Sequence, residues 1–190
     1  LVADQTVEAS YEIKGTNVGT YTGAFGETVT IKAGEKDVTA NYIVTKTPGT
    51  LKIVASEIAK YVTLTPADVE KVYDGEAHAT GTATAEDTNG NELKIEYSAD
   101  GKTWTEDPST ITATEVADSK TVQVRVSSAN YDGYVTGEQK LTIKPRPIEL
   151  TGEGWTTDQP YTGTEYRKTA YEVEQANAAN DRGLVAGQTV

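Results

Sequence analysis

The side chains that most often perform catalysis or hold metal ions are scarce in this sequence. It contains one histidine, His78, and no cysteine, so neither a Cys–His dyad nor a Cys–His zinc site can form. His78 lies between Ala77 and Ala79 in an alternating run that is typical of a strand. No run resembles the nucleophile elbow of a hydrolase. We therefore predict no catalytic residues, no metal site and no cofactor, and a chain that is not an enzyme.

Carboxylates are abundant, but their spacing indicates turns. The run 87–91 presents oxygens at alternate positions, as calcium loops do, yet Ser98 stands where an EF-hand needs its bidentate glutamate. Asp100 lies in a run similar to an Asp-box, which is a hairpin-folding motif. We therefore expect hairpins at Asn89-Gly90 and at Asp100-Gly101. With 29 acidic residues in the chain, no pair can be singled out as glycosidase carboxylates.

Trp155 is the single candidate ligand-binding residue. It follows Gly152-Glu153-Gly154 in a loop. When the internal repeats described below are aligned, Val69 occupies the position that corresponds to Trp155. An exposed tryptophan can stack on the face of a sugar or anchor a protein partner. The alternative is an aromatic plug between neighbouring modules. A Lys–Asn isopeptide cross-link that involves Lys52 or Asn41 is a further alternative, and the sequence does not show the convergence that it needs.

Composition and charge exclude several classes of partner. The net charge of −12 and the isoelectric point near 4.5 argue against nucleic acid, whose phosphates require Lys and Arg. No apolar run approaches the roughly 20 residues that span a bilayer, so we expect no membrane insertion in this stretch. The 31 threonines, 11 tyrosines and 17 glycines favour strands joined by tight turns.

Alternating hydrophobic residues predict an all-β chain. Val7, Ala9, Tyr11 and Ile13 would share one face of a half-buried strand, and the run 121–126 alternates in the same way. We predict immunoglobulin-like β-sandwich modules in an elongated array, with β-grasp-like modules as the alternative.

Internal repetition divides the chain into modules. The run 1–7 recurs at 184–190 with six of seven residues identical, at a spacing of 183. Four further correspondences appear within the chain. They are Ala40-Asn41-Tyr42 with Ala129-Asn130-Tyr131, the pair Leu51/Ile53 with Leu141/Ile143, Ile148-Glu149-Leu150-Thr151 with Val62-Thr63-Leu64-Thr65, and Pro160-Tyr161-Thr162-Gly163 with Val72-Tyr73-Asp74-Gly75. We predict that 1–54 is the C-terminal half of a module type A, that 55–146 is a complete module type B with its linkers, and that 147–190 is the N-terminal half of A.

These motifs, in this order, resemble the MBG-type tandem repeats of bacterial surface proteins. The run 183–190, the Asp37-Val38-Thr39-Ala40-Asn41-Tyr42 segment and Gly49-Thr50-Leu51-Lys52-Ile53 carry the resemblance for A. The Tyr-Asp-Gly turn and the Leu-Thr-Ile ending carry it for B. The sequence departs from the pattern at Thr162, which replaces the usual Asp and closes a turn less well through its hydroxyl. The resemblance implies an all-β module of extracellular cell-wall proteins and adhesins, and it brings no catalytic residues.

We therefore expect a structural stalk or spacer segment of a bacterial cell-surface adhesin, located outside the cell. One alternative is a binding module for a host glycoprotein, either a mucin glycan or an immunoglobulin. Another is an accessory repeat of a large secreted carbohydrate-active enzyme. The expected partners are neighbouring repeats of the same array, and we also expect 148–190 of one molecule to pair head to tail with 1–53 of another.

Overall fold

The computed structural model of the protein describes residues 1–177 and 179–189. Strands and turns make up nearly all of its regular structure, so the all-β prediction is confirmed. Within the described residues, the helical segments are four single-turn 3-10 helices at Thr39–Asn41, Ile58–Lys60, Pro108–Thr110 and Val116–Asp118. The strands are β1 Gln5–Glu12, β2 Gly19–Thr22, β3 Ala24–Ala33, β4 Lys36–Asp37, β5 Thr50–Ile53, β6 Ser56–Glu57, β7 Val62–Thr65, β8 Val69–Val72, β9 His78–Ala79, β10 Thr84–Asp87, β11 Lys94–Ser98, β12 Thr112–Ala113, β13 Lys120–Ser127, β14 Tyr131–Asp132, β15 Val135–Lys144, β16 Leu150–Gly152 and β17 Tyr171–Val173.

The chain divides into two compact units. The first comprises Leu1–Lys60 and Ser127–Gly133, and the second comprises Tyr61–Val126 and Tyr134–Val190. The sandwich architecture and the boundaries 1–54, 55–146 and 147–190 stay predictions.

Three small sheets form the first unit. Antiparallel β1, β3 and β4 make one sheet, antiparallel β2 and β5 make a second, and β6 and β14 pair in parallel. Among the described hydrophobic side chains of this unit, only Ile31 and Ile58 are buried. Its apolar core is therefore small.

The predicted half-buried face of β1 is wrong. Val7 is 48% exposed and Tyr11 43% exposed, and Ala9 is also exposed. Alternation buries a strand face only where a second apolar layer covers it, and Ile31 and Ile58 are too few to supply one. Tyr11 instead packs against Phe25 of β3 at 4.8 Å between ring centroids.

A four-stranded sheet organises the second unit. Its order is β11-β13-β15-β8, with β13 antiparallel to β15 and β8 parallel to β15. Val122, Val124 and Val126 point inward and are fully buried, which confirms the alternation predicted for 121–126. One core cluster joins Ala83, Tyr97, Val122 and Val124 to Leu64, Ile95 and Ile111, and a second joins Ala113, Leu141 and Ile143 to Val69 and Tyr73.

Of the two predicted hairpins, only one joins paired strands. At Asp100-Gly101 the chain reverses, and Tyr97 and Thr105 exchange backbone hydrogen bonds of 2.7 and 3.0 Å. At Asn89-Gly90 the chain also turns, but β10 pairs with β7 while β11 pairs with β13, so the hairpin prediction is wrong. An Asn-Gly turn specifies a reversal, whereas the long-range apolar contacts of each strand decide its partner.

The segment that follows β15 is open to solvent. Every residue of 147–172 is exposed. The strands β16 and β17, which lie in this stretch and directly after it, form a short antiparallel pair. Arg146 holds the far end of the segment, because its guanidinium donates to the carbonyls of Gly183 and Arg182 at 2.9 and 2.8 Å. Val190, the last residue of the repeated run, lies outside the described residues.

Candidate binding surfaces

Trp155 lines an open cleft in the exposed segment. The side chain is 38% exposed and shares the cleft with Glu153, Asp158, Tyr166 and Lys168. The β16–β17 pair positions one wall, since the Glu153 N–H donates to the Ala170 carbonyl at 2.9 Å directly after β16.

Lys168 contacts three groups of this cleft. Its ammonium lies 5.5 Å from the centroid of the Trp155 ring, 3.2 Å from the Glu153 carboxylate and 2.8 Å from the Gly154 carbonyl, to which it donates. A cation over a partly exposed indole contributes about 0.5–1 kcal/mol. The arrangement fixes the tryptophan side chain without burying it.

The chemistry of the cleft suits a neutral polar ligand. Glu153 is already paired with Lys168, and the remaining carboxylate of Asp158 gives the cleft excess negative charge. The Asp158 carboxylate can accept hydrogen bonds from sugar hydroxyls, and the Tyr166 hydroxyl, which donates to the Pro160 carbonyl at 2.6 Å, can accept one as well. The exposed indole can stack on a sugar ring. An anionic ligand would meet repulsion from Asp158.

His78 forms a pair with one carboxylate. It lies in β9, and its Nε2 is 3.0 Å from both carboxylate oxygens of Asp74. The pKa of Asp74 lies below its usual value, chiefly because its carboxylate accepts the Glu76 N–H and further because His78 is adjacent. Across the described part of the chain, no group of three or more His, Cys, Asp or Glu side chains converges as a metal site would require.

In the runs around Asp87 and Asp100, the aspartate carboxylate accepts hydrogen bonds from residues two to four positions later and so closes a turn. The Asp100 carboxylate accepts the N–H groups of Lys102 and Thr103 at 2.8 and 2.7 Å, and these bonds hold its pKa far below the ordinary range. The Asp87 carboxylate accepts both the N–H and the side-chain amide of Asn91 at 2.8 and 2.7 Å. Both carboxylates therefore serve as turn acceptors, as predicted for Asp100.

Sequence reasoning missed a cluster on the outer face of the four-stranded sheet. The guanidinium carbon of Arg125 lies 4.0 Å from the ring centroid of Trp104 and 4.6 Å from that of Tyr134. Its Nε donates to the Glu96 carboxylate at 2.8 Å, and Lys94 lies 3.0 Å from the same carboxylate. The sequence carried one signal, a cation in an alternating Val-x-Val strand, and that signal does not identify the partners of Arg125.

The Arg125–Glu96 ion pair connects two neighbouring strands of the sheet. The Glu96 side chain is only 12% exposed, and its pKa is lowered chiefly by the hydrogen bond from Arg125 and further by the one from Lys94. The stacked guanidinium and its paired carboxylate join β11 to β13 on the side away from the core. We assign this cluster to stability.

Replacing Glu96 with Gln should lower the unfolding free energy of the second unit by about 2 kcal/mol at pH 7, because the acceptor of the Arg125 hydrogen bond loses its negative charge. The folded pKa of Glu96 lies below the unfolded value of about 4.3, so this stabilisation is present above that value and is lost as the pH falls through the folded pKa. Urea titrations from pH 7 to pH 3 should show the difference between wild type and Glu96→Gln shrinking. The matched control is Glu106→Gln, which removes a 66% exposed partner of Lys94 and should change stability by under about 0.5 kcal/mol. A wild-type advantage that is independent of pH would contradict the assignment.

No protein-family model, curated protein or solved structure matches the chain. No described helix is long and apolar enough to cross a membrane. The resemblance to MBG-type repeats therefore stays a prediction from the sequence motifs alone.

Proposed function

We propose that this chain is a structural repeat segment, a stalk or spacer, of an extracellular bacterial cell-surface adhesin, without enzymatic activity. The observation that carries the proposal is that aligned copies of the repeated motifs adopt the same local geometry. Three pairs of motifs agree in this way.

The first pair is the Ala-Asn-Tyr turn. The Tyr42 N–H donates to the Thr39 carbonyl at 3.0 Å, and in the aligned motif the Tyr131 N–H donates to the Ser128 carbonyl at 3.2 Å. Each turn closes over three residues and then leads toward a strand that carries the Leu-x-Ile ending.

The second pair is the Tyr-x-Gly turn. The Asp74 carboxylate accepts the Glu76 N–H at 2.9 Å, and the aligned Thr162 hydroxyl accepts the Thr164 N–H at 3.4 Å. Gly75 and Gly163 follow in the left-handed region, at φ +83° and +73°. The longer bond at Thr162 agrees with the weaker turn chemistry of a hydroxyl.

The third pair lies in the repeated run, at its one variable position. Asp4 has φ +66° and the aligned Gly187 has φ +84°. Glycine occupies this left-handed region without steric cost, and Asp is among the few other residues that tolerate it. The substitution therefore preserves one backbone conformation, as expected of two copies of one structural unit.

These repeats support an array of immunoglobulin-like modules in which each module mainly contacts its neighbours. Pro145 and Pro147 of the Lys-Pro-Arg-Pro linker favour an extended connection after module B. The acidic surface keeps such an array soluble. Neighbouring repeats are accordingly the first partners that we propose.

The Trp155 cleft favours one second candidate, a binding module for the neutral sugars of a host mucin glycan. The exposed indole, the free carboxylate of Asp158 and the Tyr166 hydroxyl supply the stacking surface and hydrogen-bonding groups that such a ligand needs. Immunoglobulin, the other host partner considered, has no comparable support in the cleft.

A titration with purified mucin and with neutral oligosaccharides separates the two candidates. The spacer function predicts no saturable binding to wild-type protein, and therefore no change on Trp155→Ala, as measured by biolayer interferometry and by tryptophan fluorescence. Saturable binding at micromolar concentration that falls at least about tenfold in Trp155→Ala, equivalent to about 1.4 kcal/mol, would replace the spacer by the binding module. The matched control is Tyr161→Ala, which removes a 96% exposed aromatic side chain outside the cleft.

A further inference from the structure

The outer face of the four-stranded sheet carries an open groove above β13 and β15. Two aromatic side chains and four polar ones from the facing strands line it, namely Trp104, Tyr134, Gln123, Arg125, Thr136 and Glu138. The sheet register places Arg125 opposite Thr136, and Gln123 opposite Glu138. The groove has a volume of about 520 Å³, within the range of about 300–1,000 Å³ that is typical of sites for small molecules.

The guanidinium of Arg125 is held in this groove by contacts on two sides. Its central carbon lies over the rings of Trp104 and Tyr134, and its Nε donates to Glu96, so the contacts that join β11 to β13 also orient the side chain. The side chain is only 23% exposed. Among the described residues, neither Nη1 nor Nη2 donates a hydrogen bond to a protein acceptor. One edge of the guanidinium is therefore ordered in advance for an acceptor from outside the chain.

The charges beside the groove favour an acceptor with a single negative charge. Arg125 and Lys94 form ion pairs with Glu96 and Glu106, so these four charges balance. Glu138 adds one more negative charge, diagonally across the strands from Arg125 at about 7–8 Å. A carboxylate matches the planar fork of Nη1 and Nη2 with two parallel hydrogen bonds. A doubly charged phosphate would meet stronger repulsion from Glu138.

We propose that this groove binds the carboxylate of an acidic sugar, either a uronic acid or a sialic acid. The carboxylate accepts hydrogen bonds from Nη1 and Nη2 of Arg125. The ring hydroxyls then face the amide of Gln123, which lies two residues along the same strand at about 7 Å and both donates and accepts hydrogen bonds. The inference goes beyond the spacer function and does not rest on it, because a repeat segment can carry such a site on an exposed sheet face.

Titrations of the full-length Trp155→Phe chain test the proposal, because its remaining tryptophan, Trp104, lines the groove and reports binding there by fluorescence. The probes are glucuronic acid and sialyllactose, and the matched neutral sugars are glucose and lactose, all at one ionic strength. We expect a saturable change with at least one acidic sugar, and binding at least about tenfold weaker for its neutral counterpart, because the hydrogen bonds to a charged group are lost. The acidic sugar that binds more tightly identifies the source of the carboxylate.

Substitutions in the groove test the two charges separately. Arg125→Lys keeps the positive charge but loses the fork, so it should weaken binding at least about tenfold. Glu138→Gln keeps the hydrogen-bonding capacity of an exposed side chain and removes its charge, so it should tighten binding about twofold. The matched control is Lys140→Gln, which removes an exposed charge of β15 outside the groove and should leave binding unchanged, because salt screens charges at that distance.

Four results would each overturn the proposal. They are no saturable binding of either acidic sugar, equal binding of an acidic sugar and its neutral counterpart, tighter binding of glucose 6-phosphate than of glucuronic acid, and weaker binding in Glu138→Gln. A urea titration shows whether Arg125→Lys is folded under the conditions of the sugar titrations. If it is not, the comparison of acidic with neutral sugars and the sign of the Glu138→Gln effect still decide the outcome, because neither alters Arg125.

Discussion

Gln139→Leu should lower the unfolding free energy of the second unit by about 3 kcal/mol, although it places an apolar side chain in a fully buried position. The Gln139 side chain has no exposed surface. Its amide nitrogen donates to the Thr80 hydroxyl at 2.8 Å and to the Gly81 carbonyl at 2.6 Å, and its amide oxygen accepts the Ala67 N–H at 3.1 Å. Leucine matches the volume but leaves three polar groups of neighbouring loops without their partner, at about 1–3 kcal/mol for each group that water does not reach.

Urea unfolding followed by Trp104 fluorescence in a Trp155→Phe background measures this change, since both tryptophans belong to the second unit. The matched control is Lys140→Leu on the next residue of the same strand, where the side chain points to solvent. Because it disturbs no buried hydrogen bond, it should shift stability by less than about 0.5 kcal/mol. Equal urea midpoints for Gln139→Leu and wild type would show that the amide contributes nothing beyond its volume.

Local chemistry in the sequence was sufficient to predict strands and turns. The alternation of Val122, Val124 and Val126 predicted their burial, and Asp100-Gly101 predicted a hairpin that the structure contains. These features depend on side chains and turn residues that are close together in the chain. The same period-2 logic failed for Val7 and Tyr11, because their burial depends on a covering layer that no local pattern encodes.

Long-range pairing lay beyond the sequence for the same reason. The parallel ladder of β8 with β15 joins residues more than 70 positions apart, and the choice between β7 and β11 as the partner of β10 depends on the whole core. The sequence was sufficient to propose Trp155 as a candidate binding residue, because a tryptophan in a glycine-flanked loop is expected to be exposed. The Arg125 cluster could not be predicted in this way, because Trp104, Glu96 and Tyr134 meet it only after the sheet has formed its register.

Leu141→Ala should be the most destabilising single substitution considered, at about 3–4 kcal/mol, within the range of about 2–5 kcal/mol for deleting a buried leucine side chain. Leu141 is fully buried at the point where β15 lies between β13 and β8, and it packs with Ala113, Ile143 and Tyr73. Neighbours on rigid, paired strands cannot collapse into the space, so the cavity persists and adds to the lost transfer free energy.

The same fluorescence-detected urea titration should show the Leu141→Ala midpoint falling while the slope stays that of wild type, because the surface exposed on unfolding is nearly unchanged. Leu150→Ala, the same chemical change at a side chain that is 56% exposed in β16, should cost under about 0.5 kcal/mol. If the two substitutions had equal effects, β15 would not organise the core of the second unit.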